Sequence, residues 1–157
     1  MRVVILGNSG SGKSTLARTM ANELIPVLDL DTIFWEPNQI AVTRPDGAAA
    51  RDLDAFCSRN EQWIVEGCYG ELVQNALKPR PELIFVNPGE AVCLSNCRNR
   101  PWEPHKYASQ EEQDSKLEFL LRWVSDYYTR DGDMSLRGHR AVFDAYDGPK
   151  RELTTQV

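Results

Sequence analysis

Gly7-Asn8-Ser9-Gly10-Ser11-Gly12-Lys13-Ser14 fills every position of the pattern G-x-x-x-x-G-K-[S/T], the Walker A phosphate loop. The apolar run Val3-Val4-Ile5-Leu6 precedes it and reads as a buried strand, and a helix-compatible stretch from Lys13 to Leu24 follows. That strand–loop–helix context is what the pattern requires. The physics sets the residue types. Glycines let successive backbone N–H groups turn inward around phosphate oxygens, and the helix N-terminus adds a favourable dipole. Lys13 is placed to reach the outer phosphates and the Ser14 hydroxyl to ligate Mg²⁺. Gly7, Asn8, Ser9, Gly10, Ser11, Gly12, Lys13, Ser14 and Thr15 are therefore the predicted nucleotide-binding residues, with ATP and Mg²⁺ as the predicted cofactors.

Outward from the loop, strands alternate with helices. The first helix stops before Pro26, because proline disfavours helix at the preceding residue. Residues 27–31, 63–66 and 83–86 read as further strands, with 36–47 a proline-broken loop and 48–60 a helix. Residues 90–99 read as helical, and 101–107 as a stiff basic and aromatic loop. Ser109-Gln110-Glu111-Glu112 fits a capping box, and Leu117, Leu120, Leu121, Val124 and Tyr128 continue at helical spacing. A last helix runs from Ser135 to Tyr146 and stops at Gly148-Pro149. The alternation predicts an α/β, three-layer P-loop NTPase fold, with a mainly parallel sheet of four or five strands and helices on both faces. No internal repeat or low-complexity tract interrupts it, so 1–157 reads as a single domain.

Composition excludes several classes. At 41% hydrophobic and 26% charged, the chain is an ordinary globular protein. A net charge of −5 argues against a general nucleic-acid binder. No apolar run approaches the roughly 18 residues of a membrane span, and no signal peptide is seen, so a cytoplasmic location is expected. The four cysteines, Cys57, Cys68, Cys93 and Cys97, form no C-x-x-C pair and no zinc set, and read as reduced thiols.

In open α/β sheets, ligands sit beyond the carboxyl ends of the strands. The second strand ends in Asp29-Leu30-Asp31, where a period of two puts both carboxylates on one side. The third ends in Glu66-Gly67. Three acids beside a phosphate loop suit a Mg-nucleotide and a second substrate, since a carboxylate can hold Mg²⁺ or accept the proton of an attacking hydroxyl. Ser14, Asp29 and Glu66 are the candidate metal ligands, and Lys13 and Asp31 are candidate catalytic groups. Arg98-Asn99-Arg100-Pro101-Trp102-Glu103-Pro104-His105-Lys106-Tyr107 gathers cations in one loop, so residues 98–112 read as a lid with Arg98 and Arg100 as catalytic candidates. Arginines closing over a transferring phosphoryl group stabilise its charge, and a lid excludes water. Arg137 and Arg140 could add phosphate contacts, whereas His105 and His139 receive no role.

The order of these features resembles the small P-loop kinases, adenylate kinase, shikimate kinase and their relatives. It is most similar to the adenylate-kinase-related proteins labelled DNA topology modulation proteins. Carrying the likeness are Leu28-Asp29-Leu30-Asp31 followed by Thr32-Ile33-Phe34-Trp35, the run Trp63-Ile64-Val65-Glu66-Gly67-Cys68-Tyr69, an apolar strand with proline, and a lid bearing arginines. Together they span roughly 1–150. The resemblance implies that one acid of Asp29 and Asp31 serves Mg²⁺ and the other the acceptor hydroxyl. It also matches Glu66-Gly67 to an Asp-Gly strand end and Arg100-Pro101 to a lid Arg-Pro. Residues 36–60 correspond to an acceptor-binding insert, making Arg44 and Arg51 candidates to hold an anionic acceptor. Asp29, Asp31, Arg44, Arg51, Gly67, Tyr69, Arg137 and Arg140 form the predicted substrate-binding set. For the fifth strand and base-contacting turn of such kinases, only 152–157 remain.

The expected function is transfer of the γ-phosphoryl group of ATP to a small molecule bearing a hydroxyl or phosphate, by a monomer or homodimer with no membrane or nucleic-acid partner. The alternative is a nucleotide-binding regulatory or DNA-topology-associated protein with little kinase activity. A GTPase lacks support, since no D-x-x-G or N-K-x-D motif follows the loop, and an absent L-S-G-G-Q run disfavours an ABC-type ATPase.

Overall fold

Alternating burial along the first strand sets the layers. In β1 (Arg2–Gly7), Val4 and Leu6 enter one apolar cluster and Val3 and Ile5 another, so the strand is covered on both faces. The same parity runs through β3 (Trp63–Gly67) and β4 (Glu82–Val86): Trp63, Val65, Leu83 and Phe85 face one side, and Ile64, Ile84 and Val86 the other. The computed structural model describes residues 1–37 and 41–157. With β2 (Val27–Asp29) and β5 (Lys150–Leu153), these strands form a five-stranded sheet in the order β2-β3-β1-β4-β5. Every pairing is parallel.

Helix α1 (Lys13–Met20) covers the Val3 face through Ala17. The Val4 face is covered by α3 (Ala48–Arg59), α4 (Gly70–Ala76) and α8 (Leu136–Ala145). A third cluster joins α5 (Glu90–Arg98) to α7 (Leu117–Asp126) through Cys93, Cys97 and Val124. Among the described residues, no helix is long and apolar enough to cross a membrane.

Several boundaries differ from the sequence reading, each for a local reason. α1 ends at Met20 rather than Leu24, because the Asn22 side chain accepts the Leu24 N–H (2.9 Å) and turns the chain before Pro26 acts. The second strand stops at Asp29. The Asp29 carboxylate accepts the Asp31 N–H (2.9 Å), and Asp31 opens a short helix, α2 (Asp31–Phe34). The predicted helix after Ser109 is two: α6 (Gln110–Ser115) breaks at Lys116, where the Ser115 hydroxyl bonds the Glu112 carbonyl (2.7 Å), and α7 begins. One half of the capping box forms, with Glu112 N–H donating to Ser109 Oγ (3.1 Å), while the Glu112 carboxylate takes the Ala108 N–H (2.9 Å). α4 was not anticipated. The loop over 36–47 holds a Trp35–Thr43 bridge, and its residues 38–40 lie outside the described residues.

The fifth strand forms in full register with β4, from Leu83↔Lys150 to Val86↔Leu153. β1 thus lies between β3 and β4, where the crossovers change direction, and its carboxyl end is the natural crevice for a ligand.

Candidate active site

The phosphate loop leaves β1 at Gly7 and re-enters regular structure at Lys13. Gly10 and Gly12 take φ values of +77° and +102°, which side-chain-bearing residues rarely adopt. At Gly10 a Cβ would also meet the Cys93 carbonyl oxygen at 2.3 Å and Cys97 Sγ at 2.7 Å. The loop is therefore seated directly on α5, and its glycine is required twice. Asn8 fastens the other flank by donating to the Val124 carbonyl (3.1 Å), and Asn96 donates to the Gly10 carbonyl (2.8 Å).

The amides of Lys13, Ser14 and Thr15, the first turn of α1, find no protein acceptor among the described residues. They are the donors a helix start leaves for an anion. Lys13 Nζ rests on the Asn8 carbonyl (2.9 Å), folded back along the loop.

Strand parity then delivers the acids. Glu66 follows Ile64 on the α1 face of β3, and its carboxylate accepts from the Ser14 hydroxyl at 2.6 Å. Asp29 is paired with Glu66 across β2 and β3. Two predicted metal ligands, Ser14 and Glu66, are thus in contact, and Asp29 ends the neighbouring strand. These are oxygen donors, the chemistry Mg²⁺ prefers when phosphates complete its shell. Among the described residues, no group of three His, Cys, Asp or Glu side chains could hold a metal by itself. Gly67 has a packing reason: a Cβ there would come within 2.8 Å of Leu30 Cβ.

Asp29 and Asp31 do lie together, but a turn rather than a strand repeat unites them. Leu30 between them is fully buried, and both carboxylates face one cation, Lys106. Its ammonium lies 2.9 Å from Asp31 and 4.0 Å from Asp29. The Tyr69 hydroxyl donates to the other Asp31 oxygen and accepts from Trp35 Nε1 (2.8 Å). Tyr69 also stacks on Phe34 at 4.1 Å. Tyr69 thus holds Asp31 from a buried position, a role that a predicted substrate contact did not foresee.

The electrostatics split the acids. Burial pushes the Asp29 carboxyl up, with the Asp31 charge adding to it. Burial would also raise Asp31, but Lys106, the Tyr69 hydrogen bond and Lys13 together hold it below the usual carboxylate range. Glu66 is raised by burial, against the pull of Lys13. Burial alone would lower Lys106; Asp31, Asp29 and Glu103 instead raise it.

The arginines are placed otherwise than expected. Arg44 bonds Asp52 (2.6 Å) and the Ile33 carbonyl (2.9 Å), so it ties α2 to α3. Arg51 is exposed on α3. Arg100 lies against Cys97, under Gly10, but its charge faces Glu103 at 3.7 Å. Arg98 is exposed at the end of α5 with no ion pair among the described residues. Arg137 pairs with Asp131 (3.0 Å) in solvent, and Arg140 grips both Glu152 oxygens (2.8 and 2.7 Å), so both guanidinium groups are engaged by acids in this structure. The ends of these arginines are set by acids close by in sequence, Asp52, Glu103, Asp131 and Glu152, which the reading of a basic segment did not weigh.

Lys106 is the residue that sequence reasoning passed over. Its only signal was membership of the basic loop. His139 proves structural: it is fully buried, bonding Tyr127 Oη (2.8 Å) and the Cys68 carbonyl (2.7 Å), and burial pushes it down to about 4. His105 gains no ion pair among the described residues.

Residues 1–137 match the family model described as ABC transporter, and the chain belongs to that family of P-loop NTPase domains. The absent L-S-G-G-Q run had disfavoured it, and the match corrects that exclusion at the level of the domain. A dephospho-CoA kinase from Coxiella burnetii (strain RSA 493 / Nine Mile phase I) is 34% identical over 96 residues, a match covering 61% of this chain and 42% of that protein. The chain thus spans less than half the length of that relative. A sugar kinase from Janibacter sp. HTCC2649 superposes with a TM-score of 0.52 at 18% identity, over 97% of this chain and 83% of that one. Shikimate kinase from Bacteroides thetaiotaomicron gives 0.48 at 17% identity, over 80% and 78%. The sugar kinase superposition and the parallel sheet establish the fold expected from the small P-loop kinases.

Proposed function

We propose that the chain is an ATP-dependent kinase that moves the γ-phosphoryl group to a hydroxyl or phosphate of a small molecule. One observation carries the reading: Ser14 of the phosphate loop contacts Glu66, and the Asp29–Asp31 pair lies at the same sheet edge. A nucleotide site and an acidic acceptor site therefore share one crevice. The loop amides and Lys13 would grip the β- and γ-phosphates. Ser14 and Glu66, with Asp29, would hold Mg²⁺, which would supply positive charge to offset that developing on the transferring group. Asp31, fixed by Tyr69, would orient the acceptor hydroxyl and take its proton. Arg98 and Arg100 would serve only after the lid rearranges, since Arg100 is turned to Glu103. Kinase similarity to the dephospho-CoA and sugar kinases supports this class and suggests both acceptor types for assay.

The test is ADP release across sugars, nucleosides, nucleotides, dephospho-CoA and shikimate-like acids, with Lys13→Ala as control. Acceptor-dependent ADP release that Lys13→Ala abolishes supports the reading. A flat screen with ATP binding intact by calorimetry turns it to the nucleotide-binding regulator, and a salt-dependent shift of duplex DNA would specify the DNA-associated form.

A further inference from the structure

The lid's cation at the acid edge is not the arginine that the sequence favours. Arg100 is spent on Glu103 and Cys97. Lys106 instead reaches across 75 residues of sequence to Asp31, with Asp29 and its own neighbour Glu103 each at 4.0 Å.

The segment bearing Lys106 is built to aim it. The amides of Lys106 and Tyr107 both donate to the Glu103 carbonyl (3.0 Å each), closing a tight turn. Gln113 of α6 clamps that turn at two points, accepting the Glu103 N–H (2.8 Å) and donating to the Pro101 carbonyl (3.1 Å). Trp102 Nε1 donates to the Tyr107 carbonyl (3.0 Å), and Glu112 accepts the Ala108 N–H (2.9 Å). All of these bonds lie within residues 101–113. Lys106 provides the hydrogen bond and the ion pairs that run from this segment to β2 and α2.

We propose that Lys106 is a positioning residue, the latch that fastens the lid onto the acceptor carboxylates and so excludes water from the crevice. The catalytic part rests on the kinase reading; the latch itself does not. Most of Lys106 is covered and its partner Asp31 is held by Tyr69 on the far side, so the ammonium meets a carboxylate that cannot swing to follow it. A partly buried pair of this kind is screened less than a surface one. Closed, the lid keeps water from competing with the acceptor for the phosphoryl group.

The experiment has two arms on Lys106→Met, with Lys106→Arg as the charge-keeping variant. In the ligand-free protein, hydrogen exchange should quicken several-fold at the amides of Glu103, Tyr107 and Ala108 in Lys106→Met. Exchange in β1, β3 and β4 should stay unchanged, and Lys106→Arg should restore most of the protection. Unchanged lid exchange in Lys106→Met overturns the latch whether or not the chain is a kinase. With ATP and the best acceptor, Lys106→Met should raise the ratio of ATP hydrolysed to acceptor phosphorylated several-fold, with little change in the KM for ATP. Faster lid exchange with an unchanged ratio overturns the role in water exclusion. Faster exchange with no transfer to any acceptor supports the latch and sinks the kinase reading alone.

Discussion

The phosphate loop and the segment 98–112 both reach the row of acids at the sheet edge, and they are built of different material. The loop is held by backbone: positive φ at Gly10 and Gly12, amide donors at the start of α1, and close seating on α5. The lid is held by side chains, with Lys106 on Asp31, Arg100 on Glu103 and Gln113 on the Glu103 turn. Backbone geometry is imposed by a buried sheet and tolerates almost no alternative. Side-chain contacts depend on a few individual groups, so a single substitution can undo them while the backbone stays in place. The chain thus sets a loop fixed by backbone geometry against a segment fixed by side-chain contacts.

The largest effect should come from the cradle. Lys13→Ala removes the one flexible cation of the loop while leaving its amides in place. Acceptor-dependent turnover should fall by about 10²–10³-fold, the usual loss when a charge-stabilising group is deleted. Circular dichroism should be unchanged, because among the described residues the Lys13 side chain bonds only the Asn8 carbonyl. Equal turnover in the variant would mean that the loop holds phosphate without contributing to transfer.

The next effect tests how the lid side is anchored to the core. His139 sits between α7 and the end of β3, donating from Nε2 to the Cys68 carbonyl, which leaves Nδ1 to accept from Tyr127. A carbonyl can only accept, so the neutral tautomer is fixed by its partners. Burial depresses the imidazole from its ordinary 6.5 to about 4. In the window between those values the unfolded chain binds a proton that the folded chain refuses. Stability is therefore whole above the unfolded value and falls as pH drops toward 4, by roughly 3 kcal/mol in total. Urea unfolding at pH 7 and near pH 4.5 should show this slope, and His139→Gln should flatten it. A slope that survives the substitution assigns acid lability to the carboxylates instead.

What the sequence disclosed follows the same division. The loop, the buried strands and the mainly parallel sheet were readable because each depends on neighbours in sequence: continuous apolar runs alternating with helical stretches, and glycines at fixed offsets. Asp29 and Asp31 were correctly brought together, yet for a reason that does not apply, since the Asp29 side chain turns the chain before period two can act. The pairing of Lys106 with Asp31 spans 75 residues and that of Asn8 with Val124 spans 116, and no local pattern encodes either. The partners of the arginines were not legible, because composition marks a basic segment but not which acid each cation turns to. Glu152, Asp52 and Glu103 take them, each near its arginine in sequence.

Tyr69→Phe sharpens the contrast within the acceptor side. The ring and its stacking on Phe34 remain, but the hydroxyl that donates to Asp31 and accepts from Trp35 is lost. Leaving the Trp35 N–H without its partner should cost about 1 kcal/mol of stability. Turnover should drop by about tenfold through a loosened Asp31, with ATP affinity unchanged. If ATP affinity falls alongside, the tyrosine acts on the cradle and the two regions are not separable.

The smallest effects are expected at Arg137 and Arg140, and their ranking is informative because both stood as phosphate contacts in the sequence. Arg137 and Asp131 are each about four-fifths exposed (83% and 79%), where an ion pair gains little over two hydrated charges. Arg137→Ala should change neither stability nor ATP affinity measurably. Arg140 has better geometry, since its guanidinium forks onto both Glu152 oxygens and lies 5.0 Å from the Phe85 ring centre. It ties α8 to the edge strand β5, and Glu152 in turn bonds Asn87 (3.1 Å) at the end of β4. Arg140→Ala should therefore cost about 1 kcal/mol at most, and the cost should appear as faster exchange along β5 rather than as weaker ATP binding. Because the free amides at the start of α1 belong to the loop between β1 and α1, fraying β5 leaves them in place. A tenfold loss of ATP affinity in either variant would mean that these helix arginines reach the phosphates after all, and that the cradle is completed by side chains as the lid is.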